Sequence, residues 1–166
     1  MRTCATLVLA VILAGCGGAP VTQSTPTTAS TGITRVNVGR VTLTQSTCFA
    51  DIPAPAPQGP IAVTVVNQRP VEATFTLWRI ADGHTFAEAK EHADAERHLA
   101  DTGQPFMGPP DWLTDPNPFN FPVAAGATAV LERVALRGTY SVSCLAFSES
   151  AKSQRVVAAA GPIEIK

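Results

Sequence analysis

The chain has 166 residues, with 12 lysines and arginines against 13 acidic residues and a net charge of −1. That balance gives no reason to expect nucleic acid or anionic lipid headgroups as partners. The length suits one domain able to bury a core of its own.

In chain order, Arg2, an apolar run at 7–13 and the small pair Ala14-Gly15 have the layout of an export signal, so residues 1–15 read as a signal peptide. The apolar run falls short of the roughly 20 residues a transmembrane helix needs. Leu13-Ala14-Gly15-Cys16 resembles the bacterial lipobox, in which the signal is cut before the cysteine and its thiol is acylated. The resemblance implies a lipoprotein held at the cell membrane through acylated, palmitate-type chains on Cys16, facing the extracellular or periplasmic side. Several acyl chains at about 0.8 kcal/mol per buried CH₂ hold such an anchor, where one chain binds only marginally. Residues 16–32 are small and polar, with Val21 the one large apolar residue after Cys16, and read as a flexible tether. Residues 33–166 are then the folded domain. Without residues 1–15, which hold Arg2 and no acid, 11 basic residues face 13 acidic ones.

Of the four cysteines, Cys4 leaves with the signal and Cys16 is consumed by lipid. Cys48 and Cys144 remain, and in an oxidising compartment they are expected to pair. The bond closes a loop of about 95 residues, which on the chain-entropy model stabilises by roughly 4 to 5 kcal/mol. The alternative is a free Cys144 thiolate acting as a metal ligand.

The domain opens with alternation: Val36 and Val38 on one face, Val41 and Leu43 on the other, with Gly39 where the phase changes. A bulge at Gly39 accounts for the flip. Residues 49–60 are a proline-rich connection. The β-branched run at 61–66 suits a strand covered on both faces, 67–70 form a turn, and 71–80 form another strand. Thr85 and Glu88 have capping-box spacing ahead of an Ala, Glu and Lys-rich run, so a surface helix is expected over about 85–101, with a thin stripe of Phe86, Ala89, Ala93 and Ala100. A connection at 102–126 with six prolines follows. It carries four of the ten aromatic residues, Phe106, Trp112, Phe119 and Phe121. These rings either form an exposed apolar binding patch or fill the end of the fold. Strands are expected at 128–136, 139–147 and 162–166, the first two joined at Arg137-Gly138.

Six to eight short strands with one helical excursion indicate a mainly β protein, an antiparallel Greek-key β-sandwich. An immunoglobulin frame fits poorly, because Trp78 stands 30 residues after Cys48 instead of about a dozen. Val-Thr-Val-Val-Asn at 63–67, Thr-Leu-Trp-Arg-Ile-Ala-Asp-Gly at 76–83, Ala125-Gly126, and Leu-Arg-Gly-Thr-Tyr at 136–140 with Cys144 four residues on resemble the frame of cupredoxin-like domains over residues 60–166.

That family holds copper with two histidines, a cysteine thiolate and usually an axial methionine. Its first histidine falls in the stretch that here reads Glu72-Ala73-Thr74-Phe75, and its second histidine and methionine follow the cysteine. Residues 145–166 contain neither, and Cys144 alone matches the ligand set. The resemblance therefore implies the fold without a type 1 copper site and with no cofactor.

His84, His92 and His98 lie close together, with Glu88, Glu96 and Asp94 at helical spacing, and read as a solvated helix face with ion pairs. No nucleophile elbow, His-Glu-x-x-His helix or phosphate-binding glycine loop is present, and Asp111 and Asp115 read as solvated loop acids, so no catalysis is expected. The sequence thus points to an anchored, non-catalytic binding or accessory module whose ligand and envelope partner it does not name. A metal-handling or redox protein using Cys144 and the histidines is the alternative, and a structural envelope protein a third reading.

Overall fold

A computed structural model describes residues 34–53, 55–114, 120–148 and 153–166. The expected signal, the whole of the tether with Cys16, and Asp115 and Phe119 lie outside the described residues. Among the described residues nine strands and one helix follow in order: β1 Val36–Leu43, β2 Cys48–Asp51, β3 Gly59–Asn67, β4 Ala73–Ile80, α1 Phe86–Asp101, β5 Leu113–Thr114, β6 Phe121–Val123, β7 Thr128–Ala135, β8 Gly138–Ser148 and β9 Ser153–Ile165. One sheet has the order β2-β1-β3-β7. The other has the order β5-β4-β8-β9, with β6 also on β4. The protein is a mostly β sandwich of two sheets with a single helix.

The pairing corrects the purely antiparallel picture at one place. β1 and β3 run parallel, because the chain leaves β2 and crosses β1 through 52–58 before pairing on its other side. During that crossing Ala56 exchanges backbone hydrogen bonds with Glu164 and Lys166 at the end of β9, a tie to the second sheet.

Gly39 carries the expected bulge. The β1·β3 register shifts between Asn37 and Gly39, and Val38, Val41 and Leu43 all enter the core while Val36 stays exposed. Gly39 has φ 132°, and a Cβ there would lie 2.3 Å from the Asp51 carbonyl oxygen, so no side chain fits.

Five strands differ from expectation, two of them, β5 and β6, being short strands inside the 102–126 connection. β2 was hidden in the proline-rich connection because it is four residues long. β9 begins at Ser153, nine residues before the expected 162, because its first half, Val-Val-Ala-Ala-Ala at 156–160, has a composition that favours helix as much as strand. Pairing with β8 decides it, with register shifts at Tyr140/Val142 and Cys144/Leu145. β3 is fully covered on one face and partly on the other: Ile61, Val63 and Val65 are fully buried, while on the second face Ala62 is buried and Thr64 and Val66 are half-buried.

The core between the sheets takes alternate residues from each strand: Val41 and Leu43 of β1, Ile61, Val63 and Val65 of β3, Phe75 of β4, Leu131 of β7, Val142 and Cys144 of β8, and Ile163 and Ile165 of β9. Each such side chain stabilises by roughly 1.5 to 3 kcal/mol when fully buried. Cys48 and Cys144 are joined across this core, tying the edge strand β2 of one sheet to the inner strand β8 of the other.

Two polar side chains pin the connections. Asn67 is fully buried, and its amide nitrogen donates to the carbonyls of Val71 at 2.8 Å, Val123 at 3.0 Å and Ala124 at 3.1 Å. Its oxygen accepts from the Arg69 N–H at 3.0 Å, so one side chain fixes both the β3–β4 turn and the approach to β7. The Tyr140 hydroxyl donates to the Leu136 carbonyl and accepts from the Leu136 N–H, both at 2.9 Å, closing the β7–β8 turn.

The bond across the core makes a direct expectation. Replacing both partners, Cys48→Ala with Cys144→Ala, is expected to cost about 3 to 5 kcal/mol in urea unfolding at equilibrium. A loss under about 1 kcal/mol would show that the 96-residue loop is not constrained by it.

Candidate functional site

The start of α1 is built by local chemistry. The Thr85 hydroxyl accepts from the Glu88 N–H at 3.3 Å, and Glu88 Oε2 accepts from the Thr85 N–H at 2.7 Å, a complete capping box. Glu88 Oε2 also accepts from the Thr85 hydroxyl at 2.9 Å. The Thr85 hydroxyl and then its backbone N–H hold the Glu88 carboxyl below its ordinary value, with a smaller contribution from His84 at 3.4 Å. α1 then lies on the outside of the second sheet, Ala93 packing with Val156 and Ala159 of β9.

The rings of the 102–126 connection do not gather in one place. Trp112 stacks on His84, centroids 4.7 Å apart and planes 9° from parallel. It packs beside Trp78 and Phe86 on a small cluster of Ile80, Ala89 and Leu113. Phe121 pairs with Phe75 across β6 and β4 and packs against the main core. Phe106 and its neighbour Met107 are 55% and 61% exposed. A second group of exposed apolar side chains, Val130, Val134 and Leu136, lies along and just after the edge strand β7.

The three histidines are likewise separate. His84 belongs to the Trp112 stack, His92 approaches Glu96 at 3.8 Å, and His98 lies exposed in the last turn of α1. Among the described residues no three histidine, cysteine or acidic side chains come together in a way that holds a metal ion. Cys144 is fully buried with its sulfur bonded to Cys48.

Two neighbouring cavities between α1 and β9 were not visible in the sequence. The smaller, about 360 Å³, is lined by Glu96, Gln104, Phe106, Gln154 and Arg155 among others. Glu96 is 1% exposed, and its Oε1 accepts from the Met107 N–H at 2.9 Å, which fixes the chain just after the helix. Its Oε2 is buried without a hydrogen-bond partner among the described residues. The expected approach of Glu96 to His92 is present at 3.8 Å, but the expected solvated face is corrected at this position, since α1 turns Glu96 inward beside Ala93. The larger cavity, about 620 Å³, shares Ala100, Arg155 and Val156 with the smaller and adds Arg69, Arg97 and the Gln45-Ser46 turn. Both volumes fall in the range of small-molecule sites.

Auracyanin B, a cupredoxin, is similar to this chain at 20% identity and a TM-score of 0.36, over 81% of this chain and 92% of its own. No family model and no curated protein matches the sequence.

The capping box gives a pH expectation. A carboxyl held low in the folded chain stabilises it fully above the ordinary carboxylate range, and that contribution is lost as pH falls through the depressed value. By carboxyl-carbon NMR, Glu88 is expected to titrate below an unperturbed glutamate, and Thr85→Val to raise it back. An ordinary Glu88 midpoint in the unaltered protein would contradict the hydrogen-bonded cap.

Proposed function

We propose that the chain is an exported lipoprotein, held at the outer face of a membrane through acylated Cys16. Beyond the tether at 16–32 it carries a non-catalytic binding or accessory module. The observation that carries this reading is the Cys48–Cys144 bond, because structural disulfides form and persist in oxidising compartments. Leu13-Ala14-Gly15-Cys16 supports it from the other end of the chain.

The contact surface is Phe106 with Met107, two adjacent exposed apolar side chains, of which Phe106 lines the smaller cavity. Large exposed apolar side chains that cluster beside a cavity suit protein recognition better than they suit solvent. The partner is an envelope protein.

The sequence frame is cupredoxin-like, and the residues do not fit a type 1 copper ion. The sulfur that would bind it is bonded to Cys48, and Ala73, Thr74 and Phe75 are buried where an imidazole would be needed. A redox or metal-handling role through Cys144 requires a free thiol, which the bond removes.

Cell fractionation tests the anchor. The unaltered protein is expected in the membrane fraction and labelled by palmitate, and Cys16→Ser is expected to abolish the label and release the protein. An unaltered protein that is soluble and unlabelled would overturn the reading.

A further inference from the structure

Three arginines from three separate parts of the fold line the 620 Å³ cavity: Arg69 from the β3–β4 turn, Arg97 from α1 and Arg155 from β9. The lining holds one acid, Asp101. Each guanidinium is held by a backbone carbonyl. Arg69 Nη1 donates to Gln45, Arg155 Nη1 to Ala100, and Arg97 Nη1 to Val157 at 3.4 Å. A carbonyl fixes the direction of a guanidinium without cancelling its charge. Arg97 is also paired, with Asp94 at 3.0 Å. Among the described residues Arg69 and Arg155 have no carboxylate partner. Arg69 Nε is moreover buried with no hydrogen-bond partner among the described residues. A buried donor left unpaired is costly, and a bound acceptor removes that cost.

We infer that this cavity binds a doubly charged phosphoryl group, with Arg69 and Arg155 as the charge-matching ligands. Two uncompensated guanidiniums match two negative charges, and their planar donor forks fit tetrahedral oxyanions at two points each. Arg97 adds a third, partly neutralised donor. The volume exceeds that of a bare phosphate, and Ala100, Ala146 and Val156 give an apolar wall for the rest of the ligand, so a phosphate ester fits better than a free ion. Net charge hid the site, because an almost neutral chain gathers these three cations at one cavity. The inference does not rest on the lipid anchor proposed above. A soluble phosphate ester and a phospholipid headgroup share the chemistry, and the test separates them.

The full chain carrying Cys16→Ser, which removes any acyl group, is titrated with inorganic phosphate. It is titrated separately with vesicles of phosphatidylglycerol in phosphatidylcholine and of phosphatidylcholine alone. Binding is expected to weaken with salt and to fall at least about tenfold in Arg69→Gln and in Arg155→Gln, while Arg137→Gln on the exposed β7–β8 turn leaves it unchanged. Phosphate binding with this pattern assigns a soluble phosphoryl ligand. Binding to phosphatidylglycerol vesicles alone, with the same pattern, assigns a headgroup. Where a glutamine variant does not fold, Arg69→Lys and Arg155→Lys take its place and are expected to weaken binding several-fold by losing the fork. The assignment is overturned by no binding of either probe, or by binding that the substitutions at 69 and 155 leave unaltered.

Discussion

The Cys48–Cys144 bond is the constraint on which the arrangement depends. β2 is four residues long, sits at the edge of its sheet and is held by β1 alone within that sheet. Without a covalent tie its two ends are a loop and a proline-rich crossing. The bond fixes it against β8, the strand that also carries Tyr140 and Val142 into the core. Once β2 is placed, residues 52–58 must cross to the far side of β1. That crossing makes β3 parallel to β1 and ties Ala56 to β9.

The same geometry positions the cavities. β9 pairs along its whole length with β8 and presents its outer side to α1, whose Ala93, packed on Val156 and Ala159, is small enough for the helix to approach closely. Phe86 marks the limit of that approach, since a Cβ on Gly161 would lie 3.0 Å from its ring and 3.1 Å from the Tyr140 carbonyl oxygen. Toward its other end α1 lies beside the β3–β4 turn that Asn67 holds in place. There Arg97, Arg155 and Arg69 meet around one opening. The buried Glu96 occupies the adjoining cavity, so acid and bases are gathered in neighbouring spaces that share Arg155.

What was legible in the sequence was local. Thr85 and Glu88 announce the helix because a capping box needs two residues at fixed spacing. The phase change at Gly39 announces a bulge because side-chain alternation in a strand has a period of two. The pairing of Cys48 with Cys144 follows from counting cysteines. What was not legible was set by distant partners. The alanines at 158–160 become strand only because β8 offers them hydrogen bonds, and the parallel β1·β3 pair has no signature in either segment. The rings of the 102–126 connection gave no clue that Trp112, Phe121 and Phe106 have three different surroundings. Arg69, Arg97 and Arg155 are spread over 86 residues with no spacing that marks a site, and only the folded chain brings them to one cavity.

The most direct measurement is a peptide map of the exported protein, alkylated before any reduction. The account predicts one cross-linked species joining the peptides of Cys48 and Cys144, with neither residue alkylated until a reductant is added. Both residues alkylated in the unreduced protein would contradict it, leaving β2 without its covalent tie and Cys144 a free thiol.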